Sequence, residues 1–248
     1  MNAVAKPPVL LLHSFFGTPE LMEPWAEQLR AHGYHTVAAT LPGRNPTDTA
    51  VLNRSGFTDY LDAALAAYDA IGSDAIVIGH SLGGLLGQHI AAQRRPAALV
   101  LLASVPPGTL WVQPSSMPYL VPILPAIIAG RAFRPSTRTM ANVPLNTLPE
   151  QERQQLIPRL VPDSGRIFRQ MSLGVPALRV KAADVSCPVL CVSGGADRNV
   201  SSWISRRIAR RYRAEHQVHP SAPHWIVAES LTPQVLPPVI GWLATATG

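Results

Sequence analysis

Residues 79–84 read GHSLGG and follow the stretch DAIVI, residues 74–78. A short apolar run bounded by glycine reads as a buried strand, and the spacing of Leu85, Leu86 and Ile90 reads as one face of a helix. Ser81 therefore stands on the turn between a strand and a helix. Glycine at 79 and 83 has a steric reason, because such a turn strains its central residue and only small neighbours let strand and helix approach closely. The helix N-terminus points back at the turn, so the Leu82 N–H is available to a negative charge developing beside Ser81.

The same alternation extends in both directions. Upstream, Val9–Leu12 reads as a buried strand. Thr18-Pro19-Glu20 reads as a helix start, with Met22, Trp25 and Leu29 on one face and Gly33 as the stop. Residues 34–41 give a second strand, and Thr58 opens a helix with Leu61, Leu65 and Tyr68 expected inward and Gly72 ending it. A third strand runs from Ala75 to Ile78 and a fourth from Ala98 to Leu102. Downstream, the pattern resumes with a strand over 188–192, a helix from Ser201 or Ser202, a strand around 216–218 and a last helix near 235–243. Strands alternating with helices predict an α/β fold, a mostly parallel sheet covered by helices on both faces.

Between about Val105 and Val180 the rhythm breaks. Proline recurs every few residues and no strand period survives, although 150–160 could form a helix. The expected organisation is a core of residues 1–104 and 181–248 interrupted by an insertion, 105–180.

A chain of 248 residues, 47% hydrophobic, is long enough for one well-buried core. No basic start, long apolar run and cleavage site combine near Met1, which leads to the expectation of a cytoplasmic protein. The apolar stretch 119–129 contains two prolines and falls short of the ~20 residues of a membrane span. Cys187 and Cys191 flank a strand-like run that holds them ~13 Å apart, beyond disulfide reach, and both read as buried apolar residues. The charge of +6 is almost all arginine. Its densest cluster, residues 206–213, belongs to a helix whose Ile204 and Ile208 face inward, so the arginines read as a solvated face and not as a nucleic-acid site. No His/Cys/Asp grouping has metal-ligand spacing, and neither a dinucleotide nor a phosphate-loop pattern occurs, so no metal or cofactor is expected.

G-x-S-x-G arises by chance in about one chain in ten of this length. Its weight here comes from the strand–turn–helix around it, which presents the hydroxyl as a nucleophile at the sheet edge. A serine hydroxyl needs a base, and the base an acid to orient it. Of eight histidines, His224 in SAPHW sits in the loop after the last strand, at the same edge as Ser81. Between Asp74 and Glu150 there is no acid, whereas Asp197 in SGGADRNV follows the next strand directly. Ser81, Asp197, His224 is the chain order of the α/β-hydrolase arrangement.

With GHSLGG, GGAD and APHW in place, the chain resembles the α/β-hydrolase superfamily over nearly its whole length. LLHSFFG, residues 11–17, resembles that family's H-G-x-x-G loop, with Ser14 in place of glycine. The resemblance implies that the Phe15 N–H is a second oxyanion donor. It gives His13 a structural role and makes His13, Ser14 and Trp225 candidate substrate contacts. The insertion resembles the family's cap, whose apolar residues, among them Trp111, Tyr119 and Phe133, would line a pocket for a hydrophobic group. The implied activity is cleavage of a hydrophobic carboxylic ester. The alternatives are a thioesterase or acyltransferase, for which Arg131, Arg134 and Arg138 could meet coenzyme A or an acidic acyl carrier, and a non-hydrolytic lyase or cyclase.

Overall fold

The computed structural model describes residues 6–72, 74–110 and 113–247. In chain order the elements are β1 (Val9–Leu12), α1 (Glu23–Ala31), β2 (Thr36–Ala38), α2 (Thr49–Arg54), α3 (Phe57–Ile71), β3 (Ile76–His80), α4 (Leu82–Arg94) and β4 (Ala98–Leu102). There follow α5 (Met117–Leu120), α6 (Leu124–Ala129), β5 (Ala132–Phe133), α7 (Thr137–Asn142), α8 (Glu150–Leu156), β6 (Asp163–Ser164) and α9 (Gly165–Leu173). The chain then ends with β7 (Val189–Gly194), α10 (Ser202–Tyr212), β8 (Glu215–His219) and α11 (Thr232–Ala246).

Six strands form one parallel sheet in the order β2-β1-β3-β4-β7-β8. Strands β1, β3, β4 and β7 are buried along their length because helices cover both faces. Alternate residues serve the two layers. Val9, Leu11, Ile76, Ile78, Val100 and Leu102 pack with α1 and α11, while Leu10, Leu12, Val77, Leu99 and Leu101 pack with α3, α4 and α10. Each such side chain, fully buried, contributes about 1.5–3 kcal/mol. All six strands are parallel, so their C-terminal ends share one edge, where ligands of open α/β sheets bind.

Three local expectations need correction. The second strand is only Thr36–Ala38, a half-exposed edge strand rather than the full 34–41. Helix α3 begins at Phe57, with the Asp59 carboxylate accepting the Gly56 N–H at 2.7 Å. It buries Phe57, Tyr60, Ala64 and Tyr68 and leaves Leu61 and Leu65 half-covered, because the aromatic rows fill more of the space against the sheet. Cys187 is only partly buried, although burial still pushes its thiol up to about 11 and that of Cys191 to about 12.

The described residues of 105–180 add no strand to the main sheet. They contain short helices and a two-residue antiparallel pair, Ala132–Ser164 and Phe133–Asp163. Prolines 118, 122 and 125 each occupy a first helical turn, where the missing N–H has no partner to lose.

Candidate active site

The turn after β3 holds Ser81 at φ 54° and ψ −112°, a conformation rarely adopted by a residue with a side chain. The close approach that permits it depends on glycine. A Cβ on Gly79 would lie 2.3 Å from the Gly83 carbonyl oxygen, and one on Gly83 would lie 2.2 Å from that of Leu12. Around the serine, three chain segments converge. Ser81 Oγ is 2.8 Å from His224 Nε2, and His224 Nδ1 is 2.8 Å from Asp197 Oδ2. The second Asp197 oxygen accepts the N–H groups of Asn199 and Val200 at 2.6 and 2.9 Å, which fixes the carboxylate. A carboxylate can only accept, so His224 Nδ1 carries the proton and its Nε2 offers a lone pair to the Ser81 hydroxyl. The structure brings together the three residues picked out in the sequence.

Two further residues pack around His224. His80 Nε2 donates to the His224 carbonyl at 2.8 Å, and its ring lies against those of His224 and Trp225. Burial, then the neighbouring His224, hold the His80 ring down to about 3. It is neutral at working pH.

Beside Ser81 lies the loop 13–17. The Phe16 N–H goes to Asp163 Oδ2 at 3.0 Å and the Gly17 N–H to the Ser14 carbonyl at 3.1 Å. The N–H groups of Phe15 and Leu82 meet no protein acceptor among the described residues, and both residues are buried. Buried donors normally find a partner, so this pair is open to an acceptor brought by a ligand. His13 is buried and turns Nδ1 toward the Ser14 carbonyl at 3.0 Å. Burial, then the Arg44 charge, lower it to about 4.

Sequence reasoning missed what holds this loop. Asp163 and Arg44 form an ion pair at 3.0 Å with side chains 0% and 5% exposed. Arg44 also donates to the Gly17 carbonyl at 3.0 Å and to the Tyr60 hydroxyl, which itself donates to Asp163 Oδ1 at 2.6 Å. The Val161 N–H donates to the Phe16 carbonyl at 3.0 Å. Both polar backbone groups of Phe16, itself at φ 61°, are thus held by residues 161–163. Burial, then the Asp163 charge, push the Tyr60 hydroxyl far above its ordinary range, so it remains a donor. No local motif announces an ion pair between residues so far apart in sequence.

Ser81 and His224 open on a cavity of about 850 Å³ including its mouth. Its walls are mostly apolar, with Phe15, Leu120, Ile123, Met140, Val143 and Met171 among them, and Arg198 is the only charged residue lining it among the described residues. Of the expected substrate contacts, Ser14, Tyr119 and Trp225 line the cavity. His13 and Phe133 do not. Phe133 stacks edge-on against Phe16 and Phe168, centroids 5.4 and 5.9 Å away, one layer behind the wall those two rings form. Trp111 lies outside the described residues. Arg134 donates to the Ile157 carbonyl, and Arg131 and Arg138 are exposed away from this wall. Among the described residues no group of three or more His, Cys, Asp or Glu could hold a metal ion.

A sheet of this order with this turn at its edge defines a class. The pattern of the "Alpha/beta hydrolase family" matches residues 9–235, and the chain belongs to that family. No curated protein sequence matches the chain. Solved structures share the fold at low identity. A monoacylglycerol lipase from Paleococcus ferrophilus is 19% identical with a TM-score of 0.73, over 97% of this chain and 96% of that one. Tomato methylketone synthase I, complexed with 2-tridecanone, is 15% identical with a TM-score of 0.71, over 99% and 100%. MenH from S. aureus is 15% identical with a TM-score of 0.73, over 100% and 97%. At these identities the likeness is one of fold.

Proposed function

We propose that this enzyme cleaves esters of hydrophobic carboxylic acids through an acyl-serine intermediate. The observation that carries the reading is the unbroken pair of 2.8 Å contacts from Ser81 through His224 to Asp197, opening on an apolar cavity. The Ser81 oxygen attacks the carbonyl carbon while His224 Nε2 takes the hydroxyl proton, and the resulting imidazolium is stabilised by Asp197. The carbonyl oxygen, now negative, is received by the Phe15 and Leu82 N–H groups, each contributing ~3 kcal/mol. His224 returns the proton to the departing alcohol. Water, deprotonated by the same nitrogen, then releases the acid and restores Ser81.

The 105–180 segment is the proposed cap, because Tyr119, Leu120 and Ile123 from it face the sheet edge across the cavity. An apolar wall favours an apolar acyl or alcohol group. A fold-relative that acts on monoacylglycerols and another found with 2-tridecanone are in keeping with such a ligand.

The test is labelling with a fluorophosphonate alongside turnover of p-nitrophenyl esters and acyl-CoA thioesters. Wild-type protein should label and favour the esters, and Ser81→Ala should lose both labelling and turnover while keeping its melting temperature. Labelling that survives in Ser81→Ala would place the nucleophile elsewhere, and preference for thioesters would replace the ester reading.

A further inference from the structure

The outer face of the run from α5 to α6 has no counterpart in the chemistry above. From Met117 to Ala129 the exposed residues are Met117, Pro118, Val121, Pro122, Leu124, Pro125, Ile128 and Ala129, without one polar side chain. Met117, Val121, Leu124 and Ile128 are 51, 60, 41 and 68% exposed, and across α5, the 3-10 turn Val121–Ile123 and α6 their spacing of four, three and four residues keeps them on one side of the run. The opposite face is already used, since Leu120 and Ile123 line the cavity and Ile127 is buried. A helical run apolar on both sides is stable only when something covers its second side.

Charge indicates what covers it. Residues 105–180 carry eight arginines and three acids, a net +5 of the chain's +6, and none of those acids precedes Glu150. One of the three, Asp163, is neutralised in its ion pair with Arg44, and another, Glu152, is bound to Ser230. At the C-terminal end of the apolar face Arg131 and Arg166 are exposed, and Arg169 donates to the Ile128 carbonyl. An apolar ridge flanked by arginines is the chemistry of an interfacial helix on anionic lipid. The ridge extends roughly 20 Å, too short for a ~30 Å hydrocarbon core. Among the described residues no helix is long and apolar enough to cross a membrane.

We propose that the α5–α6 face docks on an anionic lipid surface, lying in the interface with the cavity-lining side of the same run turned toward the sheet edge. This surface does not depend on the ester chemistry, because binding is measured without turnover. The measurement is flotation with vesicles of phosphatidylcholine, alone or mixed with phosphatidylglycerol. Wild-type protein should float with the mixed vesicles and be released by added salt. Arg131→Gln should weaken binding about fivefold. The double variant Val121→Glu/Ile128→Glu should weaken it more than about tenfold, with the melting temperature and turnover of a short water-soluble ester unchanged. Should the double variant fail to fold, Ile128→Ser alone carries the same test. Wild-type protein that stays in the aqueous layer overturns the proposal, as does a folded variant that floats as well as wild type. A wild-type dimer that the double variant dissolves, without lipid binding, would assign the ridge to a second copy of the chain.

Discussion

At the scale of single residues, Ser81, Asp197 and His224 were legible because each lies within a few positions of a strand end, where chain order alone fixes the edge it reaches. If Asp197 orients the base as proposed, Asp197→Asn offers His224 Nδ1 a donor in place of an acceptor on one rotamer. Turnover at neutral pH should then fall by about 10⁴-fold with little change in melting temperature. Unchanged turnover would pass the role to another acid. Asp163 was illegible, since its partners Arg44, in the loop after β2, and Tyr60, on α3, lie more than a hundred residues earlier and no periodicity links them. Removing its charge leaves Arg44 buried and unpaired. Asp163→Ala should therefore cost about 3–5 kcal/mol, lowering the melting temperature by on the order of 10 °C. A loss under 1 kcal/mol by denaturant titration would show that water enters and solvates the guanidinium.

Elements were legible where burial is two-sided or the helical face is unmixed. Strands β1, β3, β4 and β7 read as continuous apolar runs because both faces are covered, whereas β2 has an exposed flank and only three paired residues. The face of α3 was read in part: Tyr68 is buried and Leu61 and Leu65 pack at the edge of the core, while Phe57, Tyr60 and Ala64, which lie deepest beside it, were not singled out. The short helices of 105–180 were hidden by their prolines, which look like breakers in sequence yet sit in first turns. Two expectations belong here. Gly83→Ala forces a methyl onto the Leu12 carbonyl oxygen at 2.2 Å, backbone that cannot yield, and should destabilise the fold by at least ~1–3 kcal/mol and abolish fluorophosphonate labelling. Ile123→Ala should lower the rate on an octanoate ester about tenfold or more relative to an acetate ester, because only the longer chain reaches that wall. Equal losses on both esters would mean that Ile123 packs the segment without reading substrate.

For the whole molecule, two of the buried histidines, His80 and His13, link stability to pH. His80 and His13 titrate near 6.5 in an unfolded chain but are lowered to about 3 and about 4 when folded. Between those values the unfolded state holds more protons, so stability rises with pH. The contribution is complete above about pH 6.5 and is lost as the pH falls toward 3–4, by up to about 1.4 kcal/mol per unit for each histidine. His80→Gln, which keeps a donor for the His224 carbonyl, should flatten the melting-temperature curve over that range, and a curve as steep as wild type would exclude His80 as a source. The link from Asp163 to loop 13–17 acts at the same scale. A segment lying between two strands of the sheet invites exchange with the corresponding piece of another enzyme, as a way to transplant specificity. Here such a chimera inherits an obligation, because the exchanged piece also supplies the carboxylate that Arg44 and the Phe16 N–H require. Grafts that carry an acid at the position of Asp163 should fold and label, while grafts with the same new walls but no such acid should not, so this segment is interchangeable only together with its anchor.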